Sequence, residues 1–543
     1  MRLRLFMVAA VLLAAVPRSS AQLPTADAFN PGAGGGDVWK LAIQPDGSIL
    51  AGGYFTRLGG QACTNLARLN ANGNPDAAFC ALVSRMNSSV SCLAVQSDGK
   101  IPVGGDFTLL SGQACTNFGR LNADGSRDTA FNPGVMPEFL GVSDLAVQAD
   151  GKLLLGGYFT TMGGLGRQYI GRLNTNGSVD TSFNPGAENG VFALAVQADG
   201  KILAGGDFIR LGGQPRGNLG RLNASGSVDA LFTPVATNTT GGGSVSALVV
   251  QPDGKILIGG DFTLLAGQAR TNFGRLNADG SPDTSFNPGI SGLTDYVNCL
   301  ALQADGKILA GGTFTTLAGQ SRTHICRLNA DGSLDPAFNP GASGSGSYVN
   351  CLALQADGKI LVGGNFTTLG GQARTNIGRL NNPDAATQSL AFNGSSIIWL
   401  RGGTSPEVWR TTFDVSTNGT SWVSLGAGQR TTGGWQLTGL NYPTNAIIRA
   451  RGFVCGANWF VETLFAPAMP LQFVNANRSP SISNGWFYAR LLGTTGSNAV
   501  VECSSDLVVW TPWQTNTLPA GGRDLAAPLG TNGQQFYRAR LVP

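Results

Sequence analysis

Two invariant spacings constrain this chain more than any other feature. Gln-x-Asp-Gly occurs seven times, beginning at Gln44, Gln96, Gln148, Gln197, Gln251, Gln303 and Gln355. Eight residues after each Gln comes a glycine pair, starting at Gly52, Gly104, Gly156, Gly205, Gly259, Gly311 and Gly363. Sixteen residues later comes Arg-Leu-Asn, at Arg68, Arg120, Arg172, Arg221, Arg275, Arg327 and Arg379. The distance from Arg to the next Gln instead runs 28, 28, 25, 30, 28 and 28. A period near fifty residues with one elastic stretch marks a repeat architecture whose units stack on one another.

Each unit reads as four strands. In the sixth, residues 297–303 form strand a and residues 307–311 strand b, with Ala304-Asp305-Gly306 as the turn between them. A loop of about ten residues leads to strand c, 324–329, and Ala330-Asp331-Gly332 turns into strand d, 333–338. Asp-Gly between strand-like runs is a hairpin signal, because glycine accepts the positive φ of the turn. Strands a and b are apolar at nearly every position, which suits a sheet covered on both faces. Four-stranded units in a ring make a β-propeller; a solenoid of the same units is the alternative.

The strand count favours the ring. Strands a, b and c occur seven times, but d has six internal copies. A spare copy stands near the amino end, where Ala28-Phe29-Asn30-Pro31-Gly32 matches Ala337-Phe338-Asn339-Pro340-Gly341. Pairing it with the last strand c would leave no open edge. In that alignment Ala26 matches Asp335, and Asp27 stands one residue out of register. The expected fold is all-β: a seven-bladed propeller of four-stranded blades closed by an N-terminal strand, over residues 22–384, followed by one or two small β-sandwich domains.

The runs Leu-Ala-Leu-Gln-Ala-Asp-Gly-Lys-Ile-Leu-Val-Gly-Gly (residues 352–364) and Arg-Leu-Asn-Ala-Asp-Gly-Ser (residues 275–281) resemble the delta-60 repeat, a β-propeller family of mostly bacterial, often secreted proteins. The resemblance covers about residues 25–382. It implies the propeller fold and brings no established activity with it. Kelch repeats are similar in ending a strand with Gly-Gly, but their Tyr and Trp markers are missing here.

Residues present in every unit are expected to build the unit. Each Arg of Arg-Leu-Asn has an Asp eight residues on in six copies: Asp76, Asp128, Asp180, Asp229, Asp283 and Asp335. A cross-strand ion pair of this kind contributes roughly 0.2–1 kcal/mol. A ring of arginines around a central anion is the competing reading. The Asp-Gly turns offer one carboxylate each, too few for calcium, which takes six to eight oxygens. The glycine pairs are expected to let backbones pack closely. With a single histidine, His324, in a slot filled by Asn in five copies, most His-based metal and catalytic schemes fall away. No catalytic, metal or cofactor site is expected, and a net charge of +4 over 543 residues suggests no nucleic-acid partner.

Nine cysteines do not form a regular disulfide framework. Cys92, Cys299 and Cys351 share the slot four residues before the recurring Gln, and Cys63 and Cys115 share another. Small buried side chains explain shared slots; one or two bridges remain open. Arg2, Arg4, the apolar run 5–16 and Ser19-Ser20-Ala21 predict a signal peptide over residues 1–21, with export to the cell surface or medium. The run is too short to span a bilayer, and no membrane span is expected in the mature chain.

Composition changes near residue 385: eight of nine tryptophans lie beyond it, and no lysine follows Lys359. Residues 385–466 read as a fibronectin- or immunoglobulin-like sandwich, with a hairpin from 412–416 to 422–425. Residues 467–543 read as a second small β-rich domain. Ser416-Thr417-Asn418-Gly419-Thr420-Ser421-Trp422 is similar to a degenerate Asp-box and reads as a turn.

The a–b and c–d turns share one face of the ring, where Lys100, Lys152, Lys201, Lys255, Lys307 and Lys359 are expected to form a solvated rim. The b–c loops and d–a connectors share the other face, which carries all the length variation. Binding concentrates in variable loops on rigid scaffolds. The candidates there are Arg85, Glu138, Phe139, Glu188, Asp295, Tyr296 and Tyr348. The leading expectation is a secreted, non-enzymatic scaffold that binds a protein or glycan on this face. A carbohydrate-active hydrolase using Asp or Glu and a structural envelope protein are the alternatives.

Overall fold

The computed structural model describes residues 24–465 except 240, 292–294 and 419–420, and beyond them a set of strands between Gln472 and Val542. The expected signal peptide lies outside the described residues, as do the side chains of residues 137–140. No helix among the described residues is long and apolar enough to cross a membrane.

Seven propeller repeats organise the first part. In the sixth, Val297–Leu302, Ile308–Gly312 and Ile325–Leu328 form an antiparallel sheet in the order a-b-c. Strand b sits centrally and is buried along its whole length, as its unbroken apolar run requires. A bulge in strand a, between Val297 and Cys299, shifts the register against the glycine pair. A Cβ at Gly311 would stand 2.5 Å from Val349 of the following repeat, and one at Gly312 would stand 1.9 Å from the Tyr296 carbonyl. Both glycines are therefore required by close approach, one between repeats and one within the bulge.

The structure corrects strand d. Its contact with strand c is a single bridge, Leu328↔Leu334 in the sixth repeat. After the bridge, carboxylates hold the chain. Asp335 N donates to Arg327 O at 2.9 Å, and the Asp335 side chain accepts from Ala337 N at 3.0 Å. A capping carboxylate favours a turn over a continuing ladder. In the first repeat the segment is a helix, Ala77–Val83, because Asp76 caps it and the next residues, Ala77-Ala78-Phe79, suit a helix. The expected b–c loop is also more ordered than a loop. It is a tight hairpin, Thr316–Leu317 with Gln320–Ser321, onto which the d–a connector Ile290–Ser291 pairs.

The Arg–Asp pairs are clamps between repeats as well as within them. Arg327 meets Asp335 at 2.9 Å and stacks 4.8 Å from the Phe338 ring. Arg68, Arg120, Arg172, Arg221 and Arg275 each make the same pair and stack, and each reaches the c–d turn of the next repeat. Their acceptors are the carbonyls of Ala123, Thr175, Ala224, Ala278 and Ala330. Arg379 of the seventh repeat donates to the Ala71 carbonyl of the first at 2.8 Å. Arg379 also pairs with Asp27 at 2.7 Å and stacks on Phe29 at 4.8 Å. Ala26 bridges Leu380, and Asp27 N donates to Arg379 O. Asp27, and not Ala26, is thus the counterpart of Asp335; a one-residue shortening before Phe29 is absorbed in the turn.

One further expectation changes, and one left open is resolved. The lysine rim is not freely solvated: Lys100, Lys152, Lys201, Lys255 and Lys307 each approach the carboxylate that the clamp arginine holds, at 2.8–3.3 Å. Lys359 instead meets its neighbour Asp357 at 3.2 Å. Cys63 is bridged to Cys80 and ties the first repeat's hairpin to its helix, while Cys115, in the matching slot, is free and buried.

Residues 386–465 form two four-stranded antiparallel sheets. One is Ala386–Phe392, Ser396–Gly403, Gly434–Thr438 and Gln429–Thr431; the other is Val423–Ala427, Val408–Ser416, Ile447–Val454 and Phe460–Phe465. Trp399, Phe413, Ile448 and Trp435 are buried between them. Asn418 Oδ1 accepts from Ser421 N at 2.8 Å, as a turn requires. Beyond residue 466 the described strands form antiparallel sheets, including Asn498–Ser504 between Thr511–Thr517 and Phe536–Val542.

Candidate functional site

The first strands of the seven repeats line a common lumen, a cavity of about 220 Å³. The bulge in each strand a brings successive positions to its wall. The residue five before each recurring Gln faces the lumen, forming an outer tier of Trp39, Ser91, Ser143, Phe192, Ser246, Asn298 and Asn350. The next position lines it too in every repeat but the second, through Lys40, Asp144, Ala193, Ala247, Cys299 and Cys351; the second repeat's residue there is Cys92. Deeper still are apolar residues such as Leu194, Leu248, Leu300 and Leu352. The lumen therefore grades from hydroxyl and amide groups to hydrocarbon.

One ion pair crosses it. Lys40 Nζ of the first repeat meets Asp144 Oδ1 of the third at 3.3 Å, and Asp144 Oδ2 accepts from Leu194 N at 2.9 Å. Burial opposes the Lys40 ammonium, but the Asp144 carboxylate outweighs it and holds the group above its usual pKa. The Lys40 side chain keeps 28% of its surface uncovered, a remainder that faces the cavity it lines. The cysteines of this tier are inert. Cys92 and Cys351 tuck against Gly104 and Gly363, and burial pushes the Cys351 thiol up to about 12 against the pull of Lys40.

The turn that follows strand Ile447–Val454 of the sandwich closes the far end. Gly456, Ala457, Asn458 and Trp459 contribute to the lumen wall. Asn458 O accepts from Val95 N at 2.8 Å, and Asn458 Nδ2 donates to Leu145 O at 2.6 Å. A Cβ at Gly456 would stand 2.4 Å from Val249, so glycine lets the turn reach strand a of the fifth repeat. The sandwich is further fixed by Glu407 N to Leu302 O at 2.9 Å and Ala304 N to Ser405 O at 2.8 Å. It therefore sits on the a–b turn face, and the connector face is at the other end of the lumen.

At that end aromatic rings and carboxylates meet. Phe192 packs 5.5 Å from Tyr158, whose hydroxyl donates to Asp207 Oδ2 at 2.8 Å; Asn189 Nδ2 donates to the same oxygen at 3.0 Å. Tyr348 donates to Asp37 Oδ2 at 2.5 Å. Burial and that bond to Asp37 push the Tyr348 phenol up to about 12, so it stays a donor.

The candidates read from the sequence do not converge on one point. Arg85 is exposed and lies against the Gly112 turn. Glu188 forms an exposed ion pair with Arg210 at 3.3 Å. Asp295 is buried, and its carbonyl accepts from Asn272 Nδ2. Glu138 and Phe139 fall in the third repeat's long first strand, with side chains outside the described residues. Tyr296 and Tyr348 each stand two residues before a lumen amide, Asn298 or Asn350. These two adjoin the site; the lumen residues themselves were missed. A signal existed: the slot five before Gln stands at a fixed spacing but holds four residue types, Trp, Phe, Ser and Asn, among its seven copies. His324 occupies a left-handed position, φ 64°, shared with Asn65, Asn117, Asn218, Asn272 and Asn376. Asn tolerates that conformation best, so the histidine is a repeat residue that has drifted.

Comparisons with known proteins bear on the fold. A family model described as a domain of unknown function (DUF5122) beta-propeller matches residues 44–79, 96–131, 148–183, 197–232, 251–286, 303–338 and 355–384. No curated protein matches the sequence. Among solved structures, one titled "Glycoside hydrolase" is 10% identical with a TM-score of 0.24, over 80% of this chain and 99% of that one. An E. coli alpha-2-macroglobulin in its native conformation is 10% identical with a TM-score of 0.13, over 94% of this chain and 33% of that one. Likenesses this loose carry no argument about activity.

Proposed function

The chain belongs, through seven repeats across residues 44–384, to the DUF5122 beta-propeller family, and on that premise we propose that it is a secreted, non-enzymatic scaffold that binds a glycan at the connector end of the lumen. The seven repeats close into a ring in this reading, with residues 24–29 completing the seventh blade. Support comes from Arg379, which holds Asp27 and the Ala71 carbonyl as the other clamp arginines hold their own partners. Export is supported by the Cys63–Cys80 disulfide, a bond that persists in oxidising compartments.

The observation that carries the reading is the seating of the sandwich. Asn458 and Gly456 close the lumen from the a–b turn face, which leaves the connector end for a ligand. Aromatic faces beside fixed hydrogen-bonding groups suit a sugar, whose rings present both C–H and O–H surfaces. Trp39, Phe192, Tyr296 and Tyr348 supply the faces; Ser, Asn and Asp groups supply the bonds. Asp144 is held in an ion pair with Lys40, which favours a hydrogen-bonding role over hydrolysis by two facing acids.

The test is calorimetric titration of the mature chain with cello-, xylo-, malto- and chito-oligosaccharides, alongside chromogenic glycosides. Saturable binding weakened at least tenfold by Tyr296→Ala supports the reading. Turnover abolished by Asp144→Asn, or no binding of any sugar, overturns it.

A further inference from the structure

The lumen is a blind pocket, and its depth, size and lining select a particular part of a ligand. One end is closed by the Gly456–Trp459 turn, through Asn458 on Val95 and Leu145 and Gly456 on Val249. A chain therefore cannot thread through the seven repeats. The volume, about 220 Å³, falls below the roughly 300–1,000 Å³ of clefts that hold drug-sized molecules. There is space for one sugar-sized ring.

The lining is polar where such a ring would lodge. Ser91, Ser143 and Ser246 line the cavity and are half-buried, and among the described residues their hydroxyls have no hydrogen-bond partner. Asn298 Nδ2 donates to Val349 O at 3.2 Å and to Asn350 Oδ1 at 3.4 Å, which orients the amide pair. Lys40 and Asp144 neutralise each other at 3.3 Å, so the pocket offers a donor and an acceptor without net charge. Unpartnered hydroxyls beside a neutral ion pair suit a neutral polyol better than an anion or an apolar ligand. Small residues help keep the space open: alanine stands at the second-tier position in the fourth and fifth repeats, and the cysteines there turn their sulfurs towards Gly104, Gly311 and Gly363.

Resting on the glycan reading above, we propose that the lumen recognises the terminal residue of a neutral glycan, inserted end-on as a single ring between the outer tier and the Lys40–Asp144 pair. The rest of the glycan stays outside, on the connector face. Ligand length then matters little, and the chemistry of the last residue decides binding.

The experiment titrates the mature chain, and its Ser246→Trp and Tyr296→Ala variants, with the same four oligosaccharide series from monosaccharide to hexaose. A sugar that binds is expected to do so with affinities within about threefold from disaccharide to hexaose, and its free monosaccharide is expected to compete. Ser246→Trp, which fills the lumen, is expected to weaken binding at least tenfold. Thermal unfolding checks that it folds. If it does not, Ser143→Gln, which narrows the same tier, and Lys40→Met, which removes the donor, are each expected to weaken binding at least fivefold. Affinity that climbs steadily with chain length and ignores Ser246→Trp, yet falls with Tyr296→Ala, overturns end-on insertion while leaving surface binding of glycans intact. No binding of any series overturns both.

Discussion

Arginine holds both the propeller repeats and the sandwich together, but in different ways. In the repeats each clamp arginine makes three kinds of contact. Arg275, for example, pairs with Asp283 at 2.8 Å, stacks on Phe286 at 4.3 Å and reaches the Ala330 carbonyl of the next repeat at 2.7 Å. In the sandwich, Arg449 and Arg451 share Asp414 at 2.9 and 3.1 Å, and Arg451 also meets Glu462 at 2.8 Å. The first arrangement places one arginine-centred clamp at each equivalent point of the repeat, with a lysine sharing the carboxylate in five of them. The second is a redundant network within one sheet. The contrast teaches that a repeated scaffold concentrates stability at equivalent points, whereas a single-copy module spreads it.

The largest expected effect follows from that concentration. Arg327 is 1% exposed at its side chain. Arg327→Met leaves the buried Asp335 with Lys307 alone, and losing one partner of a buried pair costs about 3–5 kcal/mol. Arg449→Met leaves Asp414 with Arg451 and is expected to cost about 1 kcal/mol, close to an ordinary partly exposed pair. Chemical denaturation of the two variants checks the ordering; equal losses would break the contrast.

Next comes the first repeat, where the Cys63–Cys80 bond, with a sequence separation of 17, ties the hairpin to the helix. Cys80→Ser is expected to cost about 3 kcal/mol, the usual figure for a loop of that size. The loss should be read locally, as faster amide exchange in the helix Ala77–Val83, with the sixth repeat unchanged.

The effect smallest at any one residue is that of acid. Burial disfavours the charged carboxylates of Asp180 and Asp283, but bonds from Ser182 and Lys152, or Ser285 and Lys255, and the Arg172 or Arg275 charge outweigh it. Both carboxyls are held far below the usual range. A depressed folded pKa contributes stability that is complete above the unfolded value, about 3.9, and is lost as pH falls from there towards the folded value. Stability is expected to be flat from neutrality to about pH 4.5 and to decline below it. Asp283→Asn should make the decline shallower.

What could be read from the sequence divides along the same line. The clamp was legible because Arg and Asp recur eight residues apart, and strands a to c because their spacing never varies. Strand d was over-read: Ser-x-Asp-x-x-Phe looks extended, yet the carboxylate caps a turn there, and in the first repeat, with Asn74 in place of Ser, a helix. The disulfide left a trace, since Cys80 stands where the second, third, fifth and sixth repeats carry Asn after the Phe. Docking of the sandwich left none, because Asn458 and Gly456 each occur once and meet partners more than two hundred residues away. The lumen lay between these cases. Its positions were fixed by the repeat, but its chemistry sat in adjacent slots of strand a where the copies disagree.

Everything placed in the lumen depends on the first and seventh repeats being neighbours. The direct measurement is amide exchange at residues 377–381, with thermal unfolding, in a chain beginning after Pro31. Removing Thr25, Ala26 and Asp27 takes away the bridge to Leu380 and the bonds at Arg379 and Asn381. The account predicts a lower unfolding temperature and fast exchange at 377–381, while residues 256–276 of the fifth repeat stay protected. Unchanged exchange and an unchanged unfolding temperature would contradict it.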